Sequence, residues 1–363
     1  MATTKTKGFY IFLFACTFYI ITSCNSKTNT STNISVENDL KKKELATIDS
    51  LLRDAGFTQS MARVLDSSYY AGIGQTPPAF FTSEDSTAVI IKRKQDEKIA
   101  TNLAGFYALE CGIGLLCAQN KATPVEWLQK VTNGSADTNA VLLLNRFANA
   151  TWKASQPFRG LDRITRYNFI VASSLSPGEV DKDYVQIKNA AVKLLSSLKT
   201  VSDSSMPGQM TALRRLLQDT MYAVEMASFL DSSYAISQQQ TPMPFSAPAN
   251  DTATIKKSNK EMKIATSIAG FYALECGVNY LVTTTNRLPS SILKSVANNS
   301  MSPEEKMIFA RFANATWKAG QPFRGLSRIT RPTFTPFYFL TEPDIEKDMV
   351  QIKAAAQRLL SFL

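Results

Sequence analysis

KIATNLAGFYALEC, residues 98–111, returns as KIATSIAGFYALEC at 263–276 with twelve of fourteen positions unchanged. FANATWKASQPFRGLDRITR at 147–166 returns as FANATWKAGQPFRGLSRITR at 312–331, eighteen of twenty unchanged. LDSSY at 65–69 recurs at 230–234, and VQIKNAAVKLLSSL at 185–198 recurs as VQIKAAAQRLLSFL at 350–363. Every pair is 165 residues apart, so 46–198 aligns on 211–363 without an insertion. Such self-similarity predicts a tandem duplication. Between the fixed segments the copies have drifted: AQNKAT at 118–123 stands opposite TTTNRL at 283–288.

Each copy reads as helical. Apolar residues in MTALRRLLQDTMYAVEMASFL, 210–230, fall at helical spacing with no breaker, and Thr76-Pro77-Pro78 and Thr241-Pro242-Met243-Pro244 end this element. A long helix follows over 87–117 and its twin over 252–283. Pro124 and Pro289 then open a short helix, since the first turn does not need proline's missing N–H. The motif helix runs over 137–155, ended by Pro157 and Pro322, and a last helix over 177–198 is matched from Pro343 onward. No stretch alternates with period two. The expectation is an all-α protein of about five helices per copy, the copies related by a pseudo-two-fold axis. Its divisions are a leader at 1–23, a polar flexible tether at 24–40, one copy at 41–198, a linker at 199–210 and the second copy at 211–363.

Gly105, Ala108 and Gly112 put small residues on one helix face, where another helix can approach closely. Trp152 and Trp317 lie on an apolar face with Leu144 and Phe309 and read as core. Arg146, Asn149, Lys153 and Gln156 share one stripe, as do Arg311, Asn314, Lys318 and Gln321. Glu110 and Glu275 sit on a largely apolar helix, and a buried carboxylate needs a cationic partner or it neutralises. Arg146 and Arg311 are the expected partners, within a copy or across the two-fold.

After the proline come Arg159, Arg163 and Arg166, with Arg324, Arg328 and Arg331 in the second copy. A guanidinium is a planar fork suited to carboxylate or phosphate. The structural reading ties these arginines to Glu110, Asp183 and Asp66. The functional reading gives them a bound anion, a phosphate or an acidic glycan, at the cleft between copies. Catalysis by a carboxylate pair such as Asp66 and Glu110, as in glycoside hydrolysis, is the third reading.

The N-terminus, MATTKTKGFYIFLFACTFYIITSC, has Lys5 and Lys7 before an apolar run that ends in Ile21-Thr22-Ser23-Cys24. This resembles the lipobox of bacterial lipoproteins; an ordinary secretory signal is the alternative. The resemblance implies cleavage before Cys24, acylation of that cysteine, and a protein tethered to a bacterial envelope membrane, the outer membrane being the expected one. Residues 25–36, NSKTNTSTNISV, are too polar to build a core.

The chain carries 40 basic and 30 acidic residues, and its formal charge of +10 falls to +8 without Lys5 and Lys7. A moderate positive charge favours anionic partners: lipid headgroups, phosphorylated or acidic glycans, an acidic protein. Nucleic acid is not expected, as no nucleic-acid motif accompanies the charge. Histidine is absent from the sequence, which excludes His-based triads and His-ligated metals. No phosphate-binding glycine loop occurs, and no cofactor is expected. Cys16 lies in the leader and Cys24 takes lipid, leaving Cys111, Cys117 and Cys276, an odd number. They read as buried thiols, with a Cys111–Cys276 bridge as the alternative. The functional expectation is a lipid-anchored binding or scaffolding protein without enzymatic activity; an enzyme on envelope glycans is the alternative.

Overall fold

The computed structural model describes the backbone of residues 27–77, 87–237, 239–241 and 252–363. The expected leader, Cys24, Pro78 and Pro242–Pro244 lie outside the described residues. The chain divides into a unit of residues 1–39 and a compact unit of residues 40–363, which holds the core and every contact given below. The fold is all-α, with no strand among the described residues. The helices are α1 (Lys27–Arg53), α2 (Ala55–Gly72), α3 (Thr87–Asn120), α4 (Pro124–Asn133), α5 (Thr138–Arg159) and α6 (Pro177–Leu198). Then come α7 (Met206–Gln218), α8 (Thr220–Ser237), α9 (Thr252–Thr285), α10 (Pro289–Ala297), α11 (Pro303–Gly320) and α12 (Glu342–Leu360).

Among the described residues each copy has six helices, where about five were expected. The extra break falls at Asp54 and again at Asp219, whose extended backbones stop one helix and cap the next. Asp54 Oδ1 accepts from the amides of Gly56 at 2.7 Å and Phe57 at 3.0 Å, and Asp219 Oδ1 from Met221 at 2.8 Å and Tyr222 at 3.2 Å. A carboxylate that satisfies two orphan amides supports a new helix start without a proline. Two boundaries move as well. From Lys27 the expected tether is helical, because no glycine or proline interrupts residues 25–53 and nothing stops the turn pattern of α1. The linker shrinks to 199–205, since Ser205 accepts from the Gly208 amide at 3.2 Å and opens α7 at Met206. Pro157 also does not end α5: it sits in the last turn, and the stop comes at Gly160, whose φ of 137° favours glycine. In the second copy Pro322 opens a short 3₁₀ turn, Pro322–Arg324, ending at Gly325 with φ 122°.

α3, α5, α9 and α11 pack together at the centre. The small residues allow this. A Cβ on Gly112 would lie 2.6 Å from Leu144 Cδ2, and one on Gly277 would lie 2.7 Å from the Phe309 ring. Phe147 stacks on Phe312 at 4.1 Å and 12°, and Phe158 on Phe323 at 5.0 Å and 9°. Each ring thus meets the residue 165 positions away, its own counterpart. A self-complementary interface makes this kind of contact about its axis. Four buried phenylalanines contribute on the order of 2–3 kcal/mol each by removal from water.

The outer helices are exchanged between copies. α2 packs on α9 and α12, while α8 packs on α3 and α6. The Ser290 amide at the start of α10 donates to Glu44 of α1 at 2.9 Å, and the Val125 amide of α4 donates to Gln209 of α7 at 2.9 Å. These are the same contact with the copies interchanged. Each copy's first two helices therefore complete the other copy's last four.

Candidate functional site

The polar stripe of α5 faces inward. Arg146, Asn149, Lys153 and Gln156 are all buried, and so are Arg311, Asn314, Lys318 and Gln321 on α11. Lys153 Nζ contacts Glu275 Oε2 at 2.5 Å, and Lys318 Nζ makes the reciprocal contact to Glu110. The ion pairs thus cross between copies, as one sequence reading allowed, but the cation is lysine rather than arginine. An unbranched stem on the buried stripe brings a compact ammonium to the carboxylate. Arg146 instead donates to the Ala172 carbonyl at 3.4 Å, and Arg311 lies 4.4 Å over the Phe337 ring. Burial lowers the pKa of Arg146 and takes Arg311 down to about 10, with Glu275 and Glu110 among the groups acting in the opposite sense.

Cys111, Cys117 and Cys276 are free and buried, so the Cys111–Cys276 bridge does not form. The Cys276 thiol lies against Glu275 at 3.1 Å and donates to Asn149 at 3.6 Å; Cys111 repeats this with Glu110 and Asn314. Burial, helped by the adjoining carboxylates, pushes the Cys111 and Cys276 thiols far up, which leaves them unreactive at neutral pH.

Outside this core lies a cleft of about 720 Å³. Its walls are α3 from Glu97 to Gly105, one side of α5 from Ala148 to Arg159, the segment 166–168 and the first half of α6. Asp231 and Tyr234 of α8 close it, so the exchanged helix from the other copy completes the site. Four cations, Lys98, Arg159, Arg166 and Lys182, face four carboxylates, Glu97, Glu179, Asp183 and Asp231. Glu97 pairs with Arg159 at 3.7 Å and Asp231 with Lys98 at 3.2 Å, whereas Arg166 and Lys182 make no ion pair among the described residues. Glu179 Oε2 is engaged at 3.1 Å by the Ser176 amide, as the cap of α6.

Four buried polar atoms of the lining residues have no hydrogen-bond partner: Oε1 of Gln156 and of Glu179, Oδ1 of Asn168, and Nε of Arg159, which keeps a 3.7 Å ion pair with Glu97. Gln156 is 1% exposed and still lines the cleft, its amide nitrogen donating to the Trp152 carbonyl at 3.3 Å. An unpaired polar atom on a dry wall is costly, so these atoms are suited to a ligand that supplies both donors and an acceptor. Asp183 lies on the floor, half-buried, and burial there raises its pKa to about 7, with Lys153 pulling the other way and Glu179 reinforcing it.

Of the predicted arginines, Arg159 and Arg166 line the cleft. Arg163 is not one of the lining residues, yet its charge acts on Arg159: burial and then Arg163 bring Arg159 down to about 10, against Glu97. Arg324 and Arg328 are half-buried and Arg331 is exposed, in a segment held to α3 by the Leu326 amide donating to Asp96 at 3.1 Å. The expected ties to Glu110 and Asp66 are absent, because Lys318 holds Glu110 and Lys263 holds Asp66 at 2.7 Å. Glu110 thus lies in the core against Lys318, and Asp66 lies against Lys263. Trp152 is not simply core; it packs at 5.7 Å on Phe169 and presents its other side to the cleft. Asn168 and Lys182 carried no sequence signal, as each is a common surface type brought in by the fold, and Tyr234 was visible only as the end of the repeated LDSSY.

Among the described residues no group of three or more His, Cys, Asp or Glu side chains is placed to hold a metal ion. The one described stretch long and apolar enough to cross a membrane, Asp96–Asn120, is mostly buried as the core of α3. Comparison with family models, with curated proteins and with solved structures finds no match.

Proposed function

We propose that this protein is a lipid-anchored binding protein of a bacterial envelope, held to the membrane through Cys24, and that the cleft beside α5 seats an acidic glycan. The set of unpartnered atoms carries the reading. Three acceptors, on Gln156, Asn168 and Glu179, call for hydroxyl donors, and Arg159 Nε, held by Glu97 only at 3.7 Å, suits a closer acceptor. Arg166 and Lys182 add cations that no carboxylate neutralises among the described residues. A sugar acid offers hydroxyls and a carboxylate on one ring, and its apolar face suits the Trp152 wall. A free phosphate would satisfy the cations and leave the acceptors unpaired. An acidic protein would reach few of them inside a cleft.

The test is a thermal-shift titration of the full chain with digalacturonate, glucose 1-phosphate, inorganic phosphate and neutral maltose. Digalacturonate at about a hundredfold over its Kd is expected to stabilise by about 2.7 kcal/mol. Arg166→Gln, at an exposed position, is expected to keep the unliganded Tm and lose the response. No shift with digalacturonate, or an equal shift with maltose, refutes the reading. Cys24→Ser is expected to abolish fatty-acid labelling and membrane fractionation, and retained labelling refutes the anchor.

A further inference from the structure

We propose that the chain carries a second acidic-sugar seat, built on α11 by Trp317, Gln321, Arg331 and Asp348, in which charge counts for more and hydroxyl recognition for less. This inference rests on the reading of the first cleft and extends it. The contacts that build the first cleft recur with the copies interchanged. Lys98 and Asn102 of α3 hold Asp231 of α8 at 3.2 and 3.3 Å; Lys263 and Ser267 of α9 hold Asp66 of α2 at 2.7 and 3.4 Å. Trp152 leans on Phe169 at 5.7 Å and Trp317 leans on Phe334 at 5.8 Å, both indoles half-buried. Gln321 is buried and donates to the Trp317 carbonyl at 3.2 Å, as Gln156 does to that of Trp152. The α3–α6 spacing recurs too: a Cβ on Gly105 would stand 3.3 Å from Gln186, and one on Gly270 would stand 3.2 Å from Gln351.

Asp348 matches Asp183 in place and in state. It is half-buried, and burial, with Asp344 adding to it and Lys347 and Lys318 opposing, raises its pKa to about 7.

The differences between the seats set the chemistry. Met262 stands where Glu97 pairs with Arg159, so the second seat has one carboxylate fewer. Pro332 and Thr333 replace Tyr167 and Asn168, Gly320 replaces Ser155, and the shorter Asp344 replaces Glu179. The second seat thus keeps the cations and loses hydroxyl-recognising groups.

Three tryptophans report on this directly, since the chain has only Trp127, Trp152 and Trp317. The full chain, labelled with 5-fluorotryptophan, gives three fluorine resonances, assigned with Trp152→Phe and Trp317→Phe. Titration with digalacturonate is expected to move the Trp152 and Trp317 signals and leave Trp127, which is buried in α4. Arg331→Gln is expected to weaken the Trp317 response about tenfold and spare that of Trp152; Arg166→Gln is expected to do the reverse. A Trp317 signal that stays fixed while Trp152 saturates overturns the second seat and leaves the first standing. A Trp317 shift that survives Arg331→Gln, or vanishes with Arg166→Gln, is relayed from the first cleft and overturns it equally. If neither indole responds, both seats fall.

Discussion

Lys318→Met tests whether the reciprocal lysine–glutamate pairs hold the two copies together. Lys318 is fully buried and Glu110 is 1% exposed, so removing the ammonium leaves a carboxylate in the core with no hydrogen-bonding cation. Arg311 is near enough to act on Glu110 but points its guanidinium over Phe337. Breaking one side of a buried pair costs about 3–5 kcal/mol, mostly as the penalty of the stranded charge. For a folded unit of roughly 320 residues that corresponds to a fall in Tm of about 5–7 °C. Lys318→Met with Glu110→Gln removes both charges and keeps both shapes, so the double variant is expected to regain most of the loss. The assay is scanning calorimetry of the wild type, both single variants and the double, read as a cycle. Lys153→Met with Glu275→Gln repeats it at the counterpart pair. A single variant within about 1 kcal/mol of wild type refutes the reasoning, and so does a double variant as unstable as Lys318→Met.

Two further expectations follow from the same structure. Asp183 and Asp348 have folded pKa values raised to about 7, above the ordinary carboxylate, so the folded chain holds protons that the unfolded chain has released. Stability should then fall as pH rises from about 4 to 7. The full shift is worth about 4 kcal/mol per group, which solvent contact reduces to about 1–2. Asp183→Asn with Asp348→Asn should flatten the Tm profile between about pH 4 and pH 7, and an unchanged slope counts against their raised values. The helix exchange predicts that residues 41–198 expressed alone will not be a folded monomer, because Phe57, Met61 and Leu65 of α2 lose the surfaces of α9 and α12. Light scattering and circular dichroism decide it; a monomer with a cooperative melt refutes the exchange.

The fold was legible in the sequence wherever a local cause acts. Pro124, Pro177 and Pro289 open helices at the positions their chemistry favours, and Gly112 and Gly277 mark the close approaches of the central helices. The break at Asp54 and Asp219 was harder to read, since an aspartate in an amphipathic pattern looks like any exposed residue. The signal was present in one form: both copies keep aspartate there, at the same offset, where a solvated position had no reason to hold it.

The site was less legible, and the exchange of helices is the reason. Asp231 and Tyr234 lie far along the chain from Arg159, yet they share its cleft only because α8 packs on α3 and α6. The sequence reading ties Asp66 to the arginines after the motif proline; the structure gives it to Lys263 of the other copy. The same crossing explains why the motif held constant. Lys153 and Lys318 serve the opposite copy's glutamates, and Phe147 and Phe158 stack on their own counterparts. A change on one side would therefore be felt in both. A few cleft-lining residues escape that constraint, and there the copies differ, among them Ser155, Tyr167, Asn168 and Glu179. Divergence at a few wall positions beside unchanged cross-copy contacts is what two seats of unequal specificity on one scaffold require.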